Sequence, residues 1–314
     1  MTKNSVRFIK GNMGGNEVVL LDGRQVPEER ELEIALAALE PLKVGGHQAG
    51  VLYEGEAENE ISVRIATITG KTYISMCGGL TQILGKALEV ESFLDGFSLH
   101  VDEPETRITL RTDSGPVGLV VEIEEGDVRK TWTGMDSFLQ ECYEIGVHPV
   151  DVAGVNGYKV GEALCVERED IEEEYPDFDL SRIEEPTLRV LRRVQKDFLD
   201  QFFPGSPGKT FAVYDRRPER TGDVRVIFPH QVVTGHIEPA CGTGTTVIGL
   251  TMAEKGQLPK TGDVRLVAES GGGIESIGGS EDTTLDLDLE DGIVRSASFT
   301  HSPVEILATG TLWA

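Results

Sequence analysis

Basic residues are scarce in this chain, with 29 Lys and Arg against 54 Asp and Glu and a formal net charge of −25. Phosphate backbones are gripped by clustered Lys and Arg, so nucleic acid is excluded as an expected partner, and anionic membrane surfaces with it. What the acidity does supply is solubility. No apolar run approaches the roughly 18–20 residues that cross a bilayer, so no membrane association is expected. The opening stretch Met1-Thr2-Lys3-Asn4-Ser5-Val6-Arg7 lacks the apolar centre of a secretory signal. Cysteine is sparse as well. The four cysteines, at 77, 142, 165 and 241, are spaced for neither a disulfide framework nor a metal-ligand set. The expectation is a cytoplasmic protein with reduced thiols and no metal. Aromatic residues are few, at 6%, yet 39% of the 314 residues are hydrophobic, enough to bury one large domain or two smaller ones.

Two short runs stand out against this background: Met76-Cys77-Gly78-Gly79 and Ala240-Cys241-Gly242-Thr243-Gly244-Thr245. Each follows a β-like run and precedes a helix-like apolar run, Leu80 to Leu88 after the first and Val247 to Ala253 after the second. A cysteine at a helix start receives free backbone N–H groups and the positive end of the helix dipole, which favour its thiolate. The glycines allow close backbone approach to a ligand, and Thr243, Thr245 and Thr246 add hydroxyl donors. Cys142 and Cys165 have no such surroundings and read as core residues.

The two runs belong to a repeat. Val63 to Ala66 precede Thr69-Gly70 and Cys77, and Val224 to Ile227 precede Thr234-Gly235 and Cys241. Further on, Val121 to Arg129 turn at Gly126 and Leu287 to Arg295 turn at Gly292, both as alternating hairpins. The first cysteine lies 49 residues before its glycine turn and the second 51, which points to an internal duplication. Two halves are expected, 1–134 carrying Cys77 and 135–314 carrying Cys241, with the last strand able to cross back to the first half. Val6 to Ile9 and Val18 to Leu21 read as a hairpin. Pro27 to Leu39, Phe138 to Tyr143 and Thr187 to Phe203 read as helices, and the acidic Val166 to Pro186 as an exposed connection. The class is α+β.

Paired thiols suit inversion of a carbon next to a carboxylate. One base removes a proton from one face and one acid returns a proton to the other, while helix N-termini hold the carboxylate as the carbanion forms. This chemistry calls for no organic cofactor. Two other echoes fail. Gly70-Lys71-Thr72 and Gly208-Lys209-Thr210 resemble the end of a phosphate-binding loop, but Ile65 and Phe203 stand where its first glycine belongs, and strand-like runs follow.

Together with Asn12-Met13-Gly14-Gly15-Asn16-Glu17-Val18-Val19, the two cysteine motifs resemble those of the diaminopimelate epimerase and proline racemase superfamily of cofactor-independent racemases and isomerases. The order of motifs covers essentially the whole chain. The resemblance implies two pseudo-symmetric domains, each a curled, mostly antiparallel sheet around a central helix, with the active site in the cleft between them. It assigns acid/base roles to Cys77 and Cys241, and suggests Asn16 and Asn156 as substrate-binding amides. Backbone and side-chain groups of Gly78, Gly79, Gly242, Thr243, Gly244 and Thr245 complete the expected binding set. The chain also departs from the superfamily. Val232 and Val233 replace a Glu-Arg pair of the diaminopimelate epimerases, and Gly79 replaces their asparagine or the histidine of proline racemases, which argues against diaminopimelate. His230, His236 and Glu238 are further candidates for substrate contact.

The expected activity is therefore a racemase or epimerase acting α to the carboxylate of an amino or hydroxy acid. Its partner is a small-molecule carboxylate, and it has the option of a homodimer. Two readings compete with it: a double-bond isomerase of an unsaturated di- or tricarboxylic acid, and a binding protein of the same fold without catalysis.

Overall fold

The structure is a computed structural model that describes residues 5–90, 93–180, 183–206, 208–231, 236–271 and 281–313. The chain divides into two units, 1–137 with 300–314 and 138–299.

The first unit begins with a hairpin. β1 (Ser5–Met13) pairs antiparallel with β2 (Asn16–Asp22) across Gly14 and Gly15. Both glycines have positive φ, 54° and 81°, the twist that a two-residue hairpin turn needs. α1 (Glu31–Leu39) follows, preceded by a 3-10 turn at Glu28–Arg30, so the helix expected from Pro27 begins four residues later. β3 (Gln48–Glu54) runs parallel to β2 and antiparallel to β4 (Glu60–Thr67). The far edge of β4 is shared. Its C-terminal half pairs with β5 (Thr72–Ile74), and its N-terminal half runs parallel to β6, which follows α2 (Gly78–Lys86) and spans Glu105–Thr112. β7 (Gly115–Glu124) and β8 (Asp127–Gly134) complete an antiparallel run. α2 packs against β1, β2, β7 and β8 and is buried from Gly78 to Gly85, while α1 lies against β2, β3 and β4.

The second unit repeats this plan. α3 (Asp136–Ile145) leads into β9 (Val147–Val152), which pairs with β10 (Val155–Val160), itself antiparallel to β11 (Ala163–Glu167). After α4 (Arg168–Glu174) and α5 (Glu185–Phe202), β12 (Phe211–Asp215) runs parallel to β11 and antiparallel to β13 (Val224–Gln231). β14 (His236–Glu238) hooks onto β13, and α6 (Gly242–Glu254) follows. β15 (Gly262–Ser270) runs parallel to β13, then β16 (Asp282–Glu290) and β17 (Ile293–Ser302) form a hairpin. The last strand, β18 (Val304–Trp313), pairs antiparallel with β1 in the first unit.

The correspondence is element for element. The series β1, β2, β3, β4, β6, β7 and β8 has parallel neighbours at β2 with β3 and β4 with β6, and β10, β11, β12, β13, β15, β16 and β17 have them at β11 with β12 and β13 with β15. Short β5 and β14 precede the two buried helices α2 and α6. The matched turns at Glu125-Gly126 and Asp291-Gly292 have φ of 56° and 82°, and of 54° and 83°. Each unit is thus a mostly antiparallel sheet with one central helix.

The stretch 166–186 is not an exposed connection throughout, although Glu173, Glu174, Asp177, Glu184 and Glu185 are exposed. β11 is wholly buried, α4 follows directly, and Phe178 and Leu180 join an apolar cluster with Leu191, Val194 and Phe198 of α5. At Glu167 the charge that suggested exposure is neutralised. Glu167 accepts hydrogen bonds from Lys255, Arg216 and Gln257, and against the cost of burial these hold its carboxyl down at about 2. Lys255 caps the C-terminal end of α6, so this buried carboxylate anchors the helix that carries the second cysteine motif.

A polar cluster anchors α2 in a similar way. Thr81 Oγ1 bonds Gly78 O and Thr133 Oγ1, while Gln82 Nε2 donates to Thr133 Oγ1 and Gln82 Oε1 accepts from the His301 N–H. His301 is itself buried, and burial pushes its imidazole from 6.5 down to about 4. Below pH 6.5 the unfolded chain therefore takes up a proton that the folded chain refuses until about pH 4. Stability should fall by about 3 kcal/mol across that window. Urea unfolding of wild type and His301→Gln between pH 7.5 and 4 checks this. The variant should lose this share of the acid sensitivity, and parallel curves for the two proteins would refute the assignment.

Candidate functional site

Each central helix is capped by a thiol. Cys77 sits in extended backbone, φ −147° and ψ 113°, with Sγ accepting from the Leu80 N–H at 3.3 Å. Cys241 has φ −155° and ψ 120°, with Sγ accepting from the Gly244 N–H at 3.4 Å. Both bonds run to the residue three ahead, the position that an N-cap oxygen normally serves. Gly78 and Gly79 of α2, and Gly242 and Thr243 of α6, are the first residues of their helices, where backbone N–H groups lack intrahelical partners. Each unit therefore offers one thiol and two N–H donors at a helix start.

The surroundings of the two sulfurs differ. Cys77 is buried, and its Sγ lies 2.8 Å from Gln48 Oε1 at the start of β3. Asn16 Nδ2, at the start of β2, reaches the same Gln48 oxygen at 3.0 Å and the sulfur at 3.7 Å. Asn16 Oδ1 is buried with no hydrogen-bond partner among the described residues. Cys241 is partly exposed, and its second neighbour is Thr243 Oγ1 at 3.2 Å. Gln48 escaped the sequence reading. It lies 29 residues from Cys77 in no recognisable motif, and only the parallel pairing of β2 with β3 brings it beside Asn16.

The glycines have an internal reason as well. A Cβ on Gly242 would meet the Phe299 ring at 2.2 Å, and one on Gly244 would meet the Phe228 ring at 2.4 Å. On Gly79 it would meet Asn16 Nδ2 at 3.0 Å. The absent side chains thus make room for other parts of the protein, and the backbone N–H groups are what these residues can offer a ligand. Thr245 and Thr246 are corrected as hydroxyl donors to a ligand. Their Oγ1 atoms bond Cys241 O at 2.8 Å and Gly242 O at 3.0 Å inside the helix, and both residues are fully buried.

Asn156 stands apart. It lies opposite Asp151 on β9 and β10 and lines an open groove of about 500 Å³ with Tyr158, Asp170 and Lys255. No residue of the Cys241 motif lines that groove, and Lys255 is at the other end of α6, about 20 Å along the helix. Glu238 is buried on β14 opposite Phe228. The side chains of His230 and His236, and the whole of Val232 and Val233, lie outside the described residues. Burial raises the Cys142 and Cys165 thiols to about 12, which keeps both protonated. Among the described residues no three His, Cys, Asp or Glu side chains gather as a metal site, and no helix is long and apolar enough to cross a membrane.

No protein-family model matches the chain, and no curated protein sequence matches it. Solved structures do. A hydroxyproline epimerase from Agrobacterium vitis, with bound trans-4-OH-L-proline, superposes with a TM-score of 0.66 at 12% identity, over 99% of this chain and 93% of that one. A methylitaconate-delta-isomerase gives 0.64 at 14% identity, over 100% and 96%. A phenazine biosynthesis protein of the PhzF family from Bacillus anthracis gives 0.60 at 13% identity, over the full length of both. These similarities span both repeats, and the chain has the fold of these solved structures.

Proposed function

We propose that this protein is a cofactor-independent racemase or epimerase that inverts the carbon α to the carboxylate of an amino or hydroxy acid. The observation that carries the reading is the matched pair of helix-capping thiols, one per repeat, each followed by two N–H donors. One thiolate removes the α-proton and the other thiol delivers its own proton to the opposite face. The carboxylate gathers the negative charge of the electron pair that the departing proton leaves behind, and N–H groups at helix starts stabilise that charge where it develops. Gly78, Gly79, Gly242 and Thr243 supply those groups in this reading, and Asn16 contacts the substrate beside Cys77.

The double-bond isomerase is the second reading, favoured by the full-length similarity to the methylitaconate-delta-isomerase. It begins with the same proton abstraction. The orphaned Asn16 Oδ1 favours inversion: it calls for a hydrogen-bond donor, which an amino or hydroxy acid brings and an unsaturated polycarboxylate lacks. A small carboxylate is the expected ligand under either reading, and a cytoplasmic location and a homodimer remain part of the proposal.

Incubation with a panel of amino and hydroxy acids in deuterated water distinguishes the possibilities. Loss of optical rotation with deuterium entering at the α-carbon supports inversion, whereas a new conjugated-alkene absorbance from an unsaturated acid supports isomerisation. A panel that yields neither, with protein that still binds a carboxylate, would support the non-catalytic reading.

Once a substrate is found, Cys77→Ser and Cys241→Ser should each cut inversion by at least about 10²–10⁴-fold, because serine is far too weak an acid to replace either partner near neutral pH. Exchange of the α-proton on one face can survive in either variant. Inversion at near wild-type rate in a serine variant would rule out the two-thiol mechanism. Cys142→Ala and Cys165→Ala should instead cost about 1–3 kcal/mol of stability and leave turnover largely intact. A well-folded but inactive variant of either would show that the working pair had been misassigned.

A further inference from the structure

The groove that holds Asn156 is built by three parts of the second unit and has no place in the proposed reaction. Asp151 stands opposite Asn156 and Pro149 opposite Tyr158, so the two-residue period of a strand puts all four side chains on one face of the β9–β10 ribbon. Asp170 of α4 and Lys255 at the C-terminal end of α6 line the same groove. Its volume of about 500 Å³ is that of a small-molecule site.

Much of the hydrogen-bonding capacity in this groove is unspent. Among the described residues the Asp151 carboxyl, the Asn156 amide and the Tyr158 hydroxyl have no hydrogen-bond or ionic partner. Lys255 is already engaged, since it bonds Glu167 and lies 3.3 Å from Asp170. With Lys255 matched to Glu167, Asp151 and Asp170 leave the groove electronegative. Burial raises the Asp170 carboxyl above the usual aspartate value in spite of Lys255, so its charge is incompletely compensated. The end of α6 adds the negative pole of a helix dipole. A metal ion is a poor match. Hard cations need a dense set of oxygen ligands, and no three His, Cys, Asp or Glu side chains gather as such a set among the described residues. A cation that carries its own carbon chain fits better, because Pro149 and the Tyr158 ring offer it apolar surface.

We propose that this groove is a second ligand site, one that takes a small aliphatic ammonium ion. Asp151 and Asp170 oppose its charge, the Asn156 amide oxygen accepts from its N–H groups, and Pro149 and Tyr158 cover its methylene groups. The site uses neither cysteine motif, so it stands or falls separately from the racemase reading.

Calorimetric titration of the free protein with butane-1,4-diamine at low ionic strength tests the proposal. Wild type should show saturable binding of one diamine per chain, and the uncharged butane-1,4-diol should not bind. Asp151→Asn with Asp170→Asn should weaken the diamine at least about tenfold, the loss expected when charge-assisted hydrogen bonds are removed. The net charge of −25 attracts any cation loosely, so a control must remove as much charge elsewhere. Asp263 and Asp288 are exposed and face each other on β15 and β16, and Asp263→Asn with Asp288→Asn should bind the diamine like wild type. Binding that does not saturate, equal losses in the two double variants, equal affinity for magnesium, or equal affinity for the diol would each overturn the proposal. If the groove double variant fails to fold by circular dichroism, the exposed Asp151→Asn alone should still weaken the diamine several-fold, and unchanged binding there would overturn the proposal as well.

Discussion

A thiol that serves as the N-cap of a buried helix is the constraint around which this structure is arranged. Sulfur is a weaker acceptor than the oxygen of serine or aspartate, yet both central helices begin on one. The cap fixes Cys77 and Cys241 in nearly the same extended backbone and aims each sulfur along the first turn of its helix. The rest of each unit holds that helix still. α2 is tied through Thr81 and Gln82 to Thr133 and to the backbone of His301, and α6 is tied at its far end through Lys255 to Glu167. In both cases the buried polar groups find partners from distant parts of the chain, which makes their burial tolerable and the helix position specific.

The duplication explains why there are two such caps and why they are not equivalent. The repeated strand order, with its two parallel neighbours in each unit, places a short strand and then a cysteine at the same point twice. What differs is the company each sulfur keeps. In the first unit β2 and β3 bring Asn16 and Gln48 to the thiol, while in the second Thr243 on the helix itself does so. The pseudo-symmetry of the backbone thus coexists with unlike surroundings at the two sulfurs.

Glycine has a double meaning in these motifs. Gly242 and Gly244 admit the rings of Phe299 and Phe228 against the first turn of α6, and Gly79 admits the Asn16 amide. Packing alone would require them. The same glycines leave the N–H groups at the helix start without a side chain of their own beside them. The threonines of the second motif divide differently. Thr245 and Thr246 spend their hydroxyls on helix carbonyls, a local bond typical of the first turns, and Thr243 alone stays near the sulfur.

Local pattern was enough for much of this. Apolar spacing of 3.6 exposed α5, and Leu188, Leu191, Val194 and Phe198 do pack on one side. Glycines marked the hairpins because a two-residue turn needs positive φ, and glycine following a cysteine marked both helix starts. Each of these signals is carried by residues within a turn or two of one another. The acidic stretch after Val166 misled for the opposite reason. Glu167 is charged in the sequence but neutralised by Arg216 and Lys255, 49 and 88 residues away, so a buried strand looked like a solvated loop. Gln48 gave no signal at all, since its meaning depends on a parallel strand pairing and on a sulfur 29 residues further along. The sequence by itself determined which segments fold, that they fold twice, and which thiols cap the helices, because short-range hydrogen bonding and periodicity decide those things. Only the tertiary structure decided what touches each sulfur, because that depends on side chains brought together by sheet register and packing over distances along the chain that no local pattern records.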